Sequence, residues 1–282
     1  MDPPPQASNS RFTPEFASRV PSPFTETKEV KNVWCYNLDN EMNEIMKAAT
    51  QYAYVGMDTE FPGICFSTKD QQVNMFDYNM IRNNVNYLKI IQLGITFCTE
   101  DGKVAPDCPT WQFNFRFDPS VDMNNAESME LLRLAGIDFS AYAKNGIEPT
   151  RFGELFTMSG LVLCPSITWI AFHGIYDFAY LLRILIGCDL PEKQADFLSV
   201  LHVFFPHVYD VKALLCKCPE LSGGLNHVAE QLQITRIGAA HQSGSDSRVT
   251  AEAFFQILAK YFHNEVDKQY DGVLFEAHSA KA

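Results

Sequence analysis

Two carboxylates on one short apolar stretch constrain this chain more than any other feature of its sequence. The stretch is residues 54–63, and it carries Asp58 and Glu60 with Thr59 between them. Side chains alternate along a strand, so the two acids point to one face and Thr59 points to the other. Acids aimed at one spot from a buried strand repel each other and lose hydration, so such a pair usually holds a cation. The alternative is a solvated pair at a strand end. A second pair with the same spacing, Asp39 and Glu41, is predicted to lie at the start of an exposed helix.

The composition indicates a folded protein without a broad nucleic-acid-binding face. The 282 residues fit one large domain or two small ones, and 46% of them are hydrophobic. The 34 acidic and 22 basic residues give a formal charge of −12. This balance disfavours binding through many phosphate contacts to Lys and Arg. It leaves room for an enzyme that grips a short strand in a cleft, where bound divalent ions invert the local charge.

The cysteines and the start of the chain predict a reduced, intracellular, soluble protein. None of the eight cysteines forms a Cys-x-x-Cys motif. The N-terminus lacks the basic and apolar regions of a signal peptide, and the apolar stretch 161–172 is too short to span a bilayer. We therefore expect no membrane partner, a cytoplasmic location and the nucleus as a second location.

The order of predicted elements indicates an α/β fold with a mixed central sheet flanked by helices. Residues 1–28 are predicted to be a flexible Pro/Ser-rich tail, 29–265 the folded domain and 266–282 a C-terminal tail. Residues 64–84 are polar and Asn-rich and are predicted to be a loop. Strands are predicted near 32–38, 54–60, 88–97, 110–117, 167–172 and 207–210, with helices near 39–52, 124–136, 138–146, 150–159, 176–186, 192–203, 211–216, 224–232 and 245–263.

Further acids and histidines stand where predicted elements begin or end. Asp177 falls in the first turn of an apolar helix, and Asp246 opens the last helix with His241 five residues earlier. Asp177 alone is equally well explained as a helix cap or dipole partner. Taken alone, Asp246 is better explained as a helix cap and His241 as an exposed loop residue. His173 is a candidate substrate contact, with a structural role as the favoured alternative. Asp210 ends a strand and is predicted to cap the next helix.

Taken together, these acids and the histidine indicate a metal-dependent hydrolase more strongly than any one of them does alone. Hydrolysis of a phosphodiester needs a nucleophilic water, stabilised phosphoryl oxygens and stabilisation of the leaving 3′-oxygen, and two divalent ions about 3.5–4 Å apart supply all three. Holding two ions takes roughly four converging carboxylates, and a nearby histidine can take the proton from water. The chain supplies Asp58, Glu60, Asp177, Asp246 and His241.

These residues and the motifs around them resemble the DEDDh exonucleases. Within that group the chain resembles the CCR-associated-factor (Pop-type) deadenylases, the catalytic poly(A) ribonuclease subunits of the CCR–NOT complex. The likeness covers roughly residues 29–265. Its motifs are residues 57–63, 89–94, 111–115, 204–206, 209–212 and 241–247.

The resemblance implies a ribonuclease H-like (DEDD exonuclease) fold and 3′→5′ shortening of mRNA poly(A) tails, with release of 5′-AMP and turnover of the mRNA. It implies two divalent ions, Mg²⁺ or Mn²⁺, held by residues that match Asp58, Glu60, Asp177 and Asp246, with a general base that matches His241. It also implies docking on the Not scaffold subunit and pairing with the leucine-rich-repeat deadenylase of the complex.

Two positions beside the acids bear on substrate contact. Phe61 follows the acid pair and is a candidate stacking surface for a base. Ile175, near Asp177, stands where the family has glycine, which could alter the wall of the cleft.

Two other functions compete with poly(A) removal. One is a DEDD exonuclease with another substrate, such as DNA or structured RNA. The other is a non-catalytic adaptor in the deadenylation complex. A complete set of mutually repelling acids favours an enzyme, because an adaptor has no use for it.

Overall fold

Six strands form one mixed sheet in the computed structural model, which describes residues 30–67, 77–106 and 108–275. They are β1 (Val30–Val33), β2 (Tyr54–Glu60), β3 (Gln92–Cys98), β4 (Thr110–Asn114), β5 (Thr168–Ala171) and β6 (His207–Asp210). The order across the sheet is β1-β4-β3-β2-β5-β6. The pairs β2–β3 and β3–β4 are antiparallel, while β1–β4, β2–β5 and β5–β6 are parallel. The α/β class with a mixed sheet is therefore confirmed.

Helices cover both faces of this sheet. The described residues form α1 (Leu38–Ala49), α2 (Tyr78–Tyr87), α3 (Ala126–Leu134), α4 (Phe139–Asn145), α5 (Pro149–Thr157), α6 (Ile175–Ile186), α7 (Gln194–Phe204), α8 (Val211–Leu214), α9 (Leu225–Gln231) and α10 (Ser243–Tyr261), with short 3₁₀ turns at Leu215–Lys217 and Lys268–Tyr270. Among these residues, no helix combines the length and the apolar character needed to cross a bilayer.

Around the acid pair, one face of the sheet is apolar and the other is small and polar. Residues such as Met57, Leu93 and Phe113 are fully buried on the first face, where they share one core cluster with α1, α2, α5, α6 and α7. The second face carries glycine, carboxylate, amide and hydroxyl positions, and α10 lies across β2, β3 and β4 there. α10 thus packs on the face that also carries the acid pair.

Two glycines let α10 approach the sheet backbone. A Cβ on Gly94 would lie 2.0 Å from the carbonyl oxygen of Ser243, and one on Gly56 would lie 2.6 Å from that of Ser247. Neither distance is compatible with a side chain, so these strand positions need glycine for close approach rather than for a turn. The first two turns of α10 are thereby brought down onto the acids of β2.

The prediction of a loop over 64–84 was wrong at its end, because α2 begins at Tyr78. Asp77 caps this helix by accepting a hydrogen bond from the Asn79 N–H at 2.9 Å. Ile81 and Val85, one turn apart, are fully buried. The asparagines around these residues made the segment resemble a polar loop. One of them, Asn84, is itself buried and accepts hydrogen bonds from the backbone N–H groups of the preceding segment.

The C-terminal part of the described chain packs onto the sheet edge. Val273 bridges Tyr209 of β6, and Leu274 is fully buried. The N–H of Phe275 donates to Asp210 Oδ2 at 3.0 Å. The folded unit therefore continues past the predicted boundary at 265, to Phe275. The predicted tail 1–28 lies outside the described residues.

Candidate active site

The acid pair of β2 lies on the face covered by α10, as the strand alternation predicts. In the sheet register, Asp58 is opposite Gly94 and Glu60 is opposite Gln92. Both carboxylates are half-buried under the beginning of α10. Thr59 points to the other side of β2 and is buried.

Asp177 reaches β2 from the first turn of α6. β2 pairs with β5 only as far as Gly56, so the Thr59 N–H lies beyond the last paired residue. That N–H donates to Asp177 Oδ1 at 2.9 Å, and the Thr59 hydroxyl donates to the same oxygen. The N-cap of α6 is Gly174, so Asp177 is not a cap. Its carboxylate instead joins the helix to the strand that carries the acid pair.

Asp246 and His241 come from the start of α10 and the turn before it. Asp246 lies in the first turn, after Gln242 at the N-cap position, so the cap interpretation is wrong here too. Asp246 Oδ2 accepts a hydrogen bond from the His241 N–H at 2.9 Å. Ligand atoms of Glu60, His241 and Asp246 all lie within 4.8 Å of one another. Three residues separated by up to 186 positions in the chain thus meet at one point.

The two histidines that were singled out occupy equivalent backbone positions. His173 and His241 both adopt left-handed conformations, each with φ of 61°, which few residues other than glycine adopt. Each backbone N–H donates to a carboxylate: that of His173 to Asp210 at 2.7 Å, and that of His241 to Asp246. In both cases a turn of this shape delivers the chain into a helix that carries one of the acids, an arrangement typical of functional sites.

The carboxylates interact strongly and unfavourably. Burial raises the pKa of Asp58 well above its usual value, and the neighbouring Asp246, Asp177 and Glu60 raise it further. Burial likewise raises the pKa of Glu60, with contributions from Asp246 and Asp177. Burial raises the pKa of Asp177 to about 7, although its hydrogen bonds from Thr59 oppose the shift. Such an arrangement favours protons or a cation at neutral pH.

Asp210 has the structural role predicted for it. It caps α8 by accepting from the Lys212 N–H at 2.9 Å. It also accepts from the N–H groups of His173, Gly174 and Phe275. One buried carboxylate therefore fixes the turn before α6, the start of α8 and the C-terminal segment together.

Arg236 belongs to the site but was not found by sequence reasoning. Its guanidinium donates to Asp246 Oδ1 and, at 3.0 Å, to the Ser245 hydroxyl. The side chain is only 19% exposed, and its charge lowers the pKa of both Asp58 and Glu60. The residue lies in the loop between α9 and α10, where an arginine is typical of a solvated surface, so only the fold reveals its position.

The structure places the two predicted substrate contacts differently. Phe61 stacks on Tyr176 and Tyr180 of α6, with ring centroids 5.3 and 5.1 Å apart, and is half-buried beside the acids. His173 packs edge-on against Phe275, and burial lowers its pKa to about 4. These contacts of His173 fit the structural alternative, and substrate contact stays a prediction for both residues.

Comparison with known sequences supports a ribonuclease. The model of the CAF1 family ribonucleases matches residues 33–151 and 161–254. A probable CCR4-associated factor 1 homolog of Arabidopsis thaliana is 44% identical over 254 residues, which cover 87% of this chain and 91% of that protein. The poly(A) ribonuclease pop2 of Schizosaccharomyces pombe is 42% identical over 269 residues, covering 93% and 79%.

Solved structures agree with this grouping. S. pombe Pop2p in a form with bound Mg²⁺ and Mn²⁺ has a TM-score of 0.83 at 43% identity, over 87% of this chain and 98% of that one. Yeast CAF1 co-crystallised with the NOT1 MIF4G domain has a TM-score of 0.72 at 31% identity, over 87% and 96%. Escherichia coli exonuclease I, at 12% identity and a TM-score of 0.52 over 76% and 42%, shares the fold alone.

The family model and the curated relatives span the elements that carry Asp58, Glu60, Asp177 and Asp246. Most of this chain and most of each relative take part in the match. The chain therefore belongs to the CAF1 family of ribonucleases.

Proposed function

We propose that this protein is a poly(A)-specific 3′→5′ exoribonuclease that shortens mRNA poly(A) tails, releases 5′-AMP and so promotes mRNA turnover. The observation that carries the proposal is the convergence of Glu60, His241 and Asp246 within 4.8 Å, beside Asp58 on the same strand face. The 42% identity to a protein named for poly(A) ribonuclease activity supports the choice of substrate.

The acid set fits two divalent ions. Carboxylate oxygens are the ligands that Mg²⁺ and Mn²⁺ prefer. Burial raises the pKa values of Asp58, Glu60 and Asp177, and repulsion from neighbouring acids of the site, which bound cations would relieve, raises those of Asp58 and Glu60 further. S. pombe Pop2p carries Mg²⁺ and Mn²⁺, which supports the same ions here. The residues that would hold them are Asp58, Glu60, Asp177 and Asp246.

Two divalent ions held by these acids would supply an activated water and charge stabilisation on the phosphoryl group. The chain's own residues do the remaining work. A ring nitrogen of His241 accepts the proton of the attacking water, since the imidazole lies within reach of Glu60 and Asp246. Phe61, held against Tyr176 and Tyr180 of α6, is the candidate surface on which a base of the RNA stacks.

The test of this function is a time course on an RNA with a labelled 5′ end and a 3′ oligo(A) tail. We expect stepwise shortening from the 3′ end with release of 5′-AMP in Mg²⁺ or Mn²⁺, and no reaction in EDTA. Matched RNAs that end in oligo(U) or oligo(C), and single-stranded DNA, test selectivity. Equal rates on all substrates would favour a general DEDD exonuclease, and no cleavage with either ion would favour an adaptor.

The Asp58→Ala variant tests the site assignment in the same assay. It removes one acid and relieves repulsion in the metal-free protein, so we expect cleavage to be abolished while the fold is retained. Circular dichroism provides the control for folding. Cleavage of oligo(A) at the wild-type rate would contradict the two-ion assignment.

The proposal extends to partners and location. The co-crystal of yeast CAF1 with NOT1 supports docking of this chain on a Not scaffold subunit. We also propose pairing with a leucine-rich-repeat deadenylase, and action in the cytoplasm and the nucleus. Affinity purification of the tagged chain, with subcellular fractionation, tests these points, and recovery of neither subunit would contradict the proposed assembly.

A further inference from the structure

The beginning of α10 has an unusual cap, and it is built from the sheet. The first N–H groups of a helix have no partner within the helix and normally bond to a side chain just before it. Gln242 stands at that position, but its side chain makes no capping hydrogen bond. Instead, Gln92 Oε1 on β3 accepts from the Ser243 N–H at 3.1 Å, and Gln112 Oε1 on β4 accepts from the Gly244 N–H at 3.0 Å.

The same two glutamines also hold the side chain of Gln242. Gln92 Nε2 and Gln112 Nε2 each donate to Gln242 Oε1 at 3.0 Å. Gln242 Nε2 donates in turn to the carbonyl oxygen of Ala135 at 3.0 Å. Three consecutive residues, 242–244, are therefore fixed by side chains of two neighbouring strands. We call Gln92, Gln112 and Gln242 the glutamine clamp.

The clamp is itself ordered by buried partners. Gln92 Nε2 lies 3.0 Å from Asn114 Oδ1, and Gln112 Nε2 lies 2.9 Å from Asn32 Oδ1. Gln92 and Gln112 are 1% and 5% exposed. A buried amide with its donors and acceptor engaged holds one orientation, because any rotation would leave polar groups unpaired. The strands thus impose a fixed position on the beginning of α10.

The position of the clamp links it to the site. His241 directly precedes the clamped residues, and Asp246 follows them by two positions. In the sheet register Gln92 is opposite Glu60, and Gly94 lies between Asp58 and Gln112. The glutamines therefore share two rows of the sheet with the acids of β2. The clamp therefore holds the segment with His241 and Asp246 beside the part of β2 that carries Asp58 and Glu60.

We propose that Gln92 and Gln112 are positioning residues, which hold the His241–Asp246 segment in the register that ion binding and proton transfer need. This inference rests on the proposed two-ion function and gives a role to two family motifs, residues 89–94 and 111–115, that the proposed chemistry leaves unused. Residues that orient metal ligands without touching the ion are worth roughly 10–100-fold in affinity or activity.

The test compares isosteric variants of the clamp with a matched control. Gln92→Met and Gln112→Met keep the side-chain volume, and each removes one of the two hydrogen bonds that cap α10. The control, Thr96→Val, removes another buried contact between the same sheet face and α10, the 2.9 Å hydrogen bond between Thr96 Oγ1 and Ser247 Oγ. That contact lies beyond the site residues along α10. The measurements are the thermal midpoint, the Kd for Mn²⁺ without RNA by calorimetry, and kcat and KM on oligo(A).

We expect both glutamine variants to bind Mn²⁺ at least ~10-fold more weakly and to lose kcat by a similar factor, with KM for RNA unchanged. Thr96→Val should lower the thermal midpoint and keep the Mn²⁺ Kd and kcat of the wild type. If the glutamine variants do not fold, Gln242→Met at a half-buried position removes the acceptor that the two glutamines share, and carries the same expectation.

Two different results would contradict the positioning role of the glutamines and the proposed ion site, respectively. Glutamine variants that lose thermal stability but keep the wild-type Mn²⁺ Kd and kcat would show that the clamp only supports the fold. A wild-type protein that binds no Mn²⁺ would instead overturn the proposed ion site, whatever the variants do.

Discussion

At the scale of single residues, the site is a collection of charges that the folded chain holds together against their repulsion. Asp58 and Glu60 are forced onto one face by the strand, and Asp177 and Asp246 add charge from two helices. Arg236 is the positive group that the structure shows against Asp246. The raised pKa values of Asp58 and Glu60 follow from burial first and repulsion second. Perturbed acids of this kind are typical of functional sites, and here they favour binding of a cation.

The role of His241 is tested at this scale. His241→Ala removes the imidazole ring, which is the proposed proton acceptor. We therefore expect kcat on oligo(A) to fall by roughly 10²–10⁴-fold. Single-turnover cleavage measures the effect. His227→Ala, at an exposed histidine outside the site, is the matched control and should cleave at the wild-type rate. A His241→Ala enzyme as fast as this control would return His241 to the role of a loop residue.

At the scale of elements, the site depends on how closely α10 approaches the sheet. α10 supplies Asp246 and, in the turn before it, His241, but both would be out of reach if a side chain separated the helix from β2 and β3. The absence of a Cβ at Gly56 and Gly94 removes that obstacle. Close packing of backbone on backbone, more than apolar burial, thus decides the geometry on this face.

A substitution at Gly94 tests this dependence. A Cβ there would lie 2.0 Å from the carbonyl oxygen of Ser243, so Gly94→Ala must displace α10 or the strand. We expect a loss of about 1–3 kcal/mol or more in the free energy of unfolding, and a larger proportional loss of cleavage. Urea denaturation and the oligo(A) assay measure the two effects.

The matched control for this substitution is Gly224→Ala. Gly224 has an ordinary φ of −88° and no heavy atom within 4 Å of an added Cβ. It stands at the N-cap of α9, where alanine is less favourable than glycine, so a cost below about 1 kcal/mol is expected. Equal effects of the two alanines would show that α10 tolerates displacement from the sheet.

At the scale of the whole molecule, the acids come from β2, α6 and α10, and no single segment contains the site. The unfolded chain therefore has no preformed arrangement of these ligands, and ion binding is coupled to folding. The same coupling links the stability of the metal-free protein to pH, because three of the acids have raised pKa values in the folded state.

The sign of the pH dependence follows from these shifts. Asp177 has a usual pKa of 3.8 and a folded pKa of about 7. The folded state prefers the protonated form, so its stability is fully present below about pH 4 and is lost as the pH rises through 7. In EDTA we expect the thermal midpoint to fall by about 5 °C or more between pH 5 and pH 8. Scanning calorimetry measures it.

Two controls separate this effect from general alkaline instability. Saturating Mg²⁺ should restore the midpoint at pH 8, because the ions bind the ionised acids of the folded state. Asp58→Asn should flatten the pH dependence in EDTA, because it removes one of the three site carboxyl groups whose pKa is raised in the folded state. A midpoint in EDTA that is independent of pH would contradict the raised carboxyl pKa values described for the site.

Local patterns in the sequence were enough for most elements and for the identity of the acids. Alternation in residues 54–60 placed Asp58 and Glu60 on one face, and each predicted strand and helix corresponds to an observed one. The motifs shared with a known family supplied the fold and the activity. Patterns failed where polar residues surround buried apolar ones, as in α2, whose buried Asn84 accepts hydrogen bonds from the backbone of the preceding segment.

The tertiary structure alone decided how the acids are held. Asp177 bonds to Thr59, and two strand glutamines cap α10, although these partners are more than 100 residues apart in the chain. Arg236 pairs with Asp246, ten positions further along the chain, across a loop whose path the sequence pattern does not reveal. Periodicity reports which face of an element is buried, but the partner across the interface depends on the register of the packed elements. Sequence by itself therefore singled out the candidate site residues. The close packing of α10 on two strand glycines decided whether they could meet.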